Sequence, residues 1–259
     1  MGKIILNANS GKFRKIRRVL DKKGRTYVAS KSLQEFKRII LSSGNELVIG
    51  GGDGTINAFV NIYMQLPKRR KNKIRLGIIP CGRANDLWRH MAGRPGLIDI
   101  IEVNGRFFVT GGGFGLPCEV AEKAKCAWYR GIMASDGIYA WIVLQKLIFG
   151  YKGIDEHMLI SVSNQPFIGK HFRISPEASN DDGLMDICLV RKSGFFGDMK
   201  TVAKIMAGNH RARHIRKKGY CISFNSPKTF MADGELLCTS KIFRFKVHKK
   251  SLSMLAYKI

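Results

Sequence analysis

Acidic residues are scarce in this chain: 19 Asp and Glu stand against 45 Lys and Arg, for a net charge of +26. Such an imbalance attracts nucleic acid, an anionic membrane face or a phosphorylated ligand, and by itself selects none of them. No helix-turn-helix, zinc-finger or RNA-binding motif accompanies the charge, and no nucleic acid is expected as partner because a pure nucleic-acid binder would leave the acidic motifs at Asp53, Asp181 to Asp186 and Asp233 to Glu235 unexplained. The six cysteines, at 81, 118, 126, 188, 221 and 238, form no CxxC pair, which excludes a zinc-ribbon spacing and argues against a disulfide scaffold. No apolar run approaches the ~20 residues that span a bilayer. The longest, Gly137 to Tyr151, is broken by Gln145 and Lys146. The first apolar stretch is too short for a signal peptide. Internal repeats and low-complexity segments are also absent. The expectation is a soluble protein of a reducing cytoplasm with a strongly positive surface.

What is present is globular. Hydrophobic residues make up 45% and charged residues 25% of 259 positions, enough for one large domain or two with a core needing no staples. The first hundred residues alternate strand and helix patterns. Strands are expected at Lys3 to Leu6, Tyr27 to Ala29, Glu46 to Ile49 and Arg75 to Ile79, with helices over Phe13 to Asp21, Leu33 to Leu41 and Ile56 to Tyr63. That alternation predicts a parallel sheet covered on both faces. Beyond a boundary near Gly96 to Glu102 the texture becomes strand after strand, as in an antiparallel sandwich. These strands are Phe107 to Val109, Leu159 to Val162, Asp186 to Val190, Tyr220 to Phe224 and Ile242 to Val247. One long amphipathic helix, about Ile138 to Phe149, interrupts them. The active site is expected in the cleft between the halves.

The strongest local signal is Gly51-Gly52-Asp53-Gly54-Thr55, extended by Ile56 and Asn57, between an apolar strand and a helix. Glycines let backbone N–H groups approach a phosphate, and the following helix start points its amides at an anion. Asp53 would repel phosphate unless a divalent cation lay between them, which makes it a candidate for Mg²⁺. No Gly-Lys-Ser/Thr follows, so this is not a Walker loop, and a glycine run alone reads equally as a tight turn. His210 and His214 have the i, i+4 spacing of metal ligands on a helix, but Arg211, Arg213 and Arg216 beside them oppose a cation and favour a basic face. Trp128, Tyr129, Trp141 and Phe149 read first as core.

In five elements the sequence resembles the diacylglycerol kinase catalytic-domain family of lipid kinases. Asn7-Ala8-Asn9-Ser10-Gly11 is similar to the family's first strand-turn, and Gly51 to Asn57 to its nucleotide loop. Gly77 to Leu87 resembles its Pro-x-Gly-Thr-x-Asn-Asp-Phe segment, Ser175 to Asp186 its Asp-Asp-Gly-Leu-Leu-Asp element, and Met231-Ala232-Asp233-Gly234-Glu235 its late Asp-Gly-Glu. Arg83 stands where the family has Thr, Ala8 where it has Pro, and the segment before Thr26 is shorter.

The resemblance implies a nucleotide-binding α/β domain at 1–100, completed by 248–259, and a β-rich lipid-substrate domain at 101–247. ATP would be held by Asn7, Asn9, Ser10, Gly11, Ser30, Gly51, Gly52, Asp53, Gly54, Thr55, Ile56, Asn57 and Arg83. Glu235 carries over as general base, with Asp233 and Asp53 completing the catalytic set. A second Mg²⁺ would sit on Asp182 and the carbonyls of Ser179 and Leu184. Asn85 and Asp86 would cap the next helix or face the cleft. The implied reaction passes the γ-phosphate of ATP to a lipid hydroxyl, diacylglycerol first among candidates, with the protein peripheral on an anionic cytoplasmic membrane face. An NAD kinase and a degenerate nucleotide-binding protein of the same fold are the alternatives. The oligomeric state stays open, a homodimer being commonest on general grounds.

Overall fold

A computed structural model describes residues 2–91, 94–124 and 138–257. Strands β1 (Lys3–Asn7), β2 (Tyr27–Ser30), β3 (Glu46–Gly51) and β4 (Arg75–Pro80) pair in parallel, in the order β2-β1-β3-β4. The unbroken apolar run of β3 follows from its burial on both faces, since a covered parallel strand has no solvent side to alternate with. Helices α1 (Phe13–Lys22), α2 (Leu33–Leu41) and α3 (Asp53–Met64), with the short α4 (Lys68–Lys71), make the crossovers. Ser32 caps α2 by accepting from the Glu35 N–H at 3.2 Å, while Glu35 reaches back to accept from the Lys31 N–H at 2.8 Å, much as in a capping box. Helix α5 (Asp86–Met91) follows β4.

The rest of the described chain is β5 (Gly96–Val103), β6 (Arg106–Phe108), β7 (Gly111–Gly115), α6 (Leu116–Ala124), α7 (Ile138–Phe149), β8 (His157–Ser163), β9 (Met185–Arg191), α8 (Gly194–Ala207), β10 (Arg213–Lys217), β11 (Gly219–Ala232) and β12 (Glu235–Met254). Strands β10-β9-β8-β7-β11-β12 pair antiparallel in that order, and β5 lies antiparallel on β12 with β6 beside it. The far end of β12 returns to the first sheet, where Ser253 and Met254 pair in parallel with Arg75 and Leu76. The fold is therefore an α/β unit with a parallel sheet joined to a mostly antiparallel β-sandwich. One core packs Ile49, Phe59 and Leu76 between sheet and helices. A second stacks phenylalanine rings, with Phe114 and Phe243 centred 4.7 Å apart and nearly perpendicular.

Several local expectations are corrected. The second half holds three helices among the described residues, not one, because Gly194, Gly197 and the adjacent Phe195-Phe196 disguise the period of α8. His210 and His214 share no helix: α8 ends at left-handed Gly208, and His214 lies on β10. That strand is largely basic because it forms an edge of the sheet, where charge discourages pairing with another chain. Strand β7, Gly-Gly-Gly-Phe-Gly, has no readable pattern because its glycines are steric necessities. A Cβ on Gly112 would lie 2.2 Å from the Met231 carbonyl oxygen, and one on Gly113 would lie 2.6 Å from that of Ile160. Trp141 is 44% and Phe149 82% exposed, so neither packs in the core; Trp128 and Tyr129 lie outside the described residues.

Candidate active site

In the order β2-β1-β3-β4 the chain leaves β1 in one direction to reach β2 and returns to the other side as β3. Loops at the carboxyl ends of β1 and β3 therefore part and open a crevice, the usual ligand position in such a sheet. The crevice holds about 350 Å³ and is lined by Asn7, Asn9, Ser10, Ser30, Gly52, Gly54, Thr55 and Glu235. Its walls are tied together, with Asn7 Nδ2 donating to Thr55 Oγ1 at 2.8 Å and Asn9 Nδ2 to the Lys31 carbonyl at 3.0 Å. The glycines are close approaches: a Cβ on Gly51 would meet the Thr55 side chain at 2.3 Å, and one on Gly52 would meet Gly82 Cα at 2.9 Å. Gly11 lines the neighbouring cavity. Ile56 is a correction, since its side chain is buried in the first core and its N–H donates to the Gly52 carbonyl at 3.1 Å. It has nothing left to offer a nucleotide. Asn57 is also spent elsewhere, its Nδ2 donating to Asp233 Oδ2 and the Phe107 carbonyl, each at 2.9 Å.

Three carboxylates gather beneath this loop. Asp53, at the start of α3, accepts from the backbone N–H groups of Asp86 and Leu87 and so caps α5 from another element. Enclosure, with Asp86 and Asp233 nearby, pushes its carboxyl up to about 7. Asp86 does not cap its own helix. It accepts from the Gly169 and Lys170 N–H groups at 2.6 and 2.8 Å, and burial pushes it up to about 6. Asn85, in left-handed conformation, exchanges hydrogen bonds with the Gly82 backbone instead of capping α5. Asp233 is buried and accepts from Asn57 Nδ2, Val109 N, Thr110 N and Thr110 Oγ1 at 2.6–3.1 Å, while burial pushes its carboxyl upward. Sequence reasoning left the place of Asp86 open and missed Thr110 outright. Asp86 carried a signal in its Asn-Asp pair; Thr110 carried none.

Between about pH 4 and pH 7 the native state holds protons on Asp53 and Asp86 that the unfolded chain has released, so stability falls as pH rises across that window. A melting series should show this fall, shallower in Asp53→Asn. Identical slopes in the two proteins would mean that Asp53 is not held among these acids.

Glu235 follows the turn that carries Asp233. Both Asp233 (φ +50°) and Gly234 (φ +78°) are left-handed, and Ala232 pairs with Glu235, the geometry of a two-residue type I′ hairpin. The pair is thus an ordinary Asp-Gly hairpin turn whose aspartate is buried. Glu235 is exposed and lies over the glycine loop, where a Cβ on Gly54 would come 2.7 Å from Glu235 Oε1. Gly54→Ala should displace this carboxylate, lowering kcat at least ~10-fold with little loss of stability, as paired turnover and melting assays would show. Unchanged turnover would remove Glu235 from the reaction.

A second cavity of about 550 Å³ opens beside the crevice. Its polar lining includes Asp53, Arg83, Asp86, Thr110 and Asp233; the rest is largely apolar, with Leu116, Val120, Val143, Leu159, Phe172 and Ile205 from α6, α7, β8 and α8 or the loops between. Arg83 makes no hydrogen bond or ion pair among the described residues. The polar crevice and the apolar slot share Asn9, Gly54 and Glu235. A charged ligand in one and a greasy ligand in the other would meet there, beside a carboxylate.

The 179–184 turn is arranged differently. Ser179 Oγ donates to Asp181 Oδ1 at 2.6 Å, the Leu184 N–H donates to Asp182 Oδ1 at 2.8 Å, and Arg216 forms an ion pair with Asp182. A cation on Asp182 would compete with a guanidinium. The Gly183 N–H is held by Asp99 at 2.6 Å.

Residues 2–104 match the family model of the diacylglycerol kinase catalytic domain, and residues 147–256 that of the YegS C-terminal NAD kinase beta sandwich-like domain. The probable lipid kinase YegS-like of Shewanella frigidimarina is 28% identical over 244 residues, 82% of this chain and 77% of that protein. Its namesake from Yersinia enterocolitica is 28% identical over 228 residues, 78% of this chain and 75% of that protein. A crystal structure of a putative diacylglycerol kinase from Bacillus anthracis shares the fold, with a TM-score of 0.76 at 19% identity over 99% of this chain and 95% of that one.

Proposed function

Because the chain belongs to the diacylglycerol kinase catalytic-domain family, we propose that it phosphorylates the hydroxyl of diacylglycerol with ATP at an anionic membrane face. It is a lipid kinase, and family membership implies ATP as phosphoryl donor. The observation that carries the finer reading is the meeting of polar crevice and apolar slot at Asn9, Gly54 and Glu235. Nucleotide phosphates lie along the glycine loop, acyl chains fill the slot, and the acceptor hydroxyl reaches Glu235, which takes its proton. Asn7, Asn9, Ser10, Ser30 and Gly51 to Thr55 form the nucleotide side. Arg83, in the lining of the second cavity, supplies a guanidinium to phosphate oxygens in place of the family's threonine.

Asp53 and Asp86 line the same cavity, and their carboxylate oxygens suit a hard divalent cation, whose charge would offset the repulsion between them. Mg²⁺ bound there would spread the charge of the phosphates. We place the reaction's cation at Asp53 rather than at Asp182, where Arg216 already stands. We assign residues 1–100 with 248–259 to a nucleotide unit and 101–247 to a lipid unit, a division that the parallel pairing of Ser253 and Met254 with Arg75 and Leu76 supports.

Exposed apolar side chains support a membrane face: α7 and α8 present Ile148, Phe149, Phe195 and Phe196, the last two ring against ring. Lys200 and Lys204 lie on the same α8. Helices α7 and α8 pack together, and both also line the slot through Val143, Val202 and Ile205, so inserting this apolar tip would bring the slot to the lipid. Phe149→Ser with Phe196→Ser should weaken sedimentation with anionic vesicles at least ~10-fold, each ring contributing ~1.5–3 kcal/mol when fully buried. Retained vesicle binding would move the membrane contact elsewhere.

The acceptor is tested with γ-labelled ATP, Mg²⁺ and anionic mixed micelles offering diacylglycerol, sphingosine, phosphatidylglycerol or NAD separately. Label entering diacylglycerol is expected. Label entering another lipid would correct the acceptor, and label in NAD alone would overturn the lipid reading.

A further inference from the structure

Away from the cleft, three side chains with metal-binding atoms converge where β9, β10 and the end of α8 meet. Cys188 on β9 faces His214 on β10 as its direct cross-strand partner, and His210 comes from the short connection after α8. Cys188 Sγ lies 3.6 Å from His210 Nε2 and 3.9 Å from His214 Nε2, and the ligand atoms of the three residues lie within 4.8 Å of one another. A tetrahedral zinc with Zn–S of ~2.3 Å and Zn–N of ~2.0–2.1 Å sets its ligand atoms ~3.5 Å apart from sulfur to nitrogen and ~3.3 Å apart between nitrogens. The sulfur-to-nitrogen distances are within a few tenths of an ångström of that figure.

The surroundings suit a cation better than the basic sequence suggests. Asp186, two residues along β9 and so on the same face as Cys188, is buried, and its Oδ2 has no hydrogen-bond partner among the described residues. Its other oxygen lies 3.3 Å from Arg216 Nε, and Arg216 also pairs with Asp182. Arg216, the arginine on the His214 face of β10, is thereby offset by two carboxylates. Asp186 has an oxygen left to accept from a metal-bound water or an outer imidazole N–H, as carboxylates beside zinc sites do.

We propose that Cys188, His210 and His214 form a binding site for one zinc ion, with water in the fourth position. Thiolate and imidazole select a borderline-soft cation over Mg²⁺ or Ca²⁺, which take oxygen ligands. The exposure of His214 leaves the open position toward solvent. The ion ties β9 and β10 to the end of α8, whose Val202 and Ile205 line the apolar slot, so its occupancy braces one wall of that slot. The site stands on its own geometry and does not depend on which lipid is phosphorylated.

The test uses the full chain, reduced and stripped with a chelator. Zn²⁺ is titrated calorimetrically, and Co²⁺ is titrated as an optical probe. One equivalent of Zn²⁺ should bind and raise the melting temperature. Co²⁺ should give the intense visible bands of a tetrahedral ion and a thiolate charge-transfer band in the near ultraviolet. Cys188→Ser, which leaves Cys221 and Cys238 in place, should abolish the charge-transfer band. His214→Ala, a change at an exposed edge-strand position, should weaken Zn²⁺ at least as much as loss of an outer-shell partner, roughly 10–100-fold. Absence of stoichiometric binding, a cobalt spectrum without the thiolate band, or a His214→Ala protein that binds as the parent does would overturn the proposal. If Cys188→Ser fails to fold, the parent's cobalt spectrum and His214→Ala still decide it.

Discussion

Glu235→Gln is expected to lower kcat by ~10²–10⁴-fold, the usual contribution of a positioned general base. The amide keeps the size of the side chain but cannot take the acceptor's proton. Glu235 is exposed and contributes no core packing, so the variant should melt with the parent and bind nucleotide and lipid as before. The effect should fall on kcat and leave both KM values nearly unchanged, because a base acts on the proton in flight and not on ground-state binding. Initial rates against ATP and diacylglycerol, paired with nucleotide binding, make the distinction. Turnover within ~10-fold of the parent would assign the proton to another group. The alternatives are Asp53 and Asp86, which carry raised carboxyls and line the same cavity.

Asp233→Ala should produce the largest loss of stability. Its carboxylate gathers the Asn57 amide, the Val109 and Thr110 N–H groups and the Thr110 hydroxyl, all within 3.1 Å and all buried or nearly so. Removing it leaves these donors unsatisfied at ~1–3 kcal/mol each, partly relieved by any water that enters, so a net cost of ~3–5 kcal/mol is expected. At ~2–4 °C per kcal/mol for a chain near this size, the melting temperature should fall by roughly 6–20 °C. Asp233→Asn should fall between, since its NH₂ meets donors where an oxygen stood. A shift below ~2 °C for Asp233→Ala would mean that this network does not anchor the hairpin.

The two variants separate chemistry from positioning. Asp233 joins three pieces distant in sequence: α3 through Asn57, the loop after β6 through Val109 and Thr110, and the hairpin that presents Glu235. Its loss should reduce activity by letting Glu235 drift, and should do so together with stability. Loss of Glu235 should reduce activity alone. Asp233 is accordingly a positioning residue, with no free oxygen left over for substrate.

Local chemistry made much of this protein legible without coordinates. The parallel-sheet half was readable because covered strands are unbroken apolar runs alternating with helix patterns, and because the glycines at 51, 52 and 54 separate a strand from a helix. The Asp233-Gly234 turn was readable because only residues that tolerate positive φ occupy both positions of a type I′ hairpin. The five motifs marked the family because each is a short contiguous string. Tertiary structure alone decided the rest. It buried Ile56 in the core and tied Asn57 to Asp233, brought Asp86 beside Asp53, gave Thr110 a role, and turned His210 and His214 from neighbours on an imagined helix into partners of Cys188. It also made β7 a strand of glycines, because Met231 and Ile160 pass too close for a Cβ. Turns, caps and apolar runs are fixed by energies acting over a few residues, which a sequence displays. The meeting of Asp53 with Asp86, or of Cys188 with His214, depends on the order and register of strands far apart in the chain, and no local pattern records that.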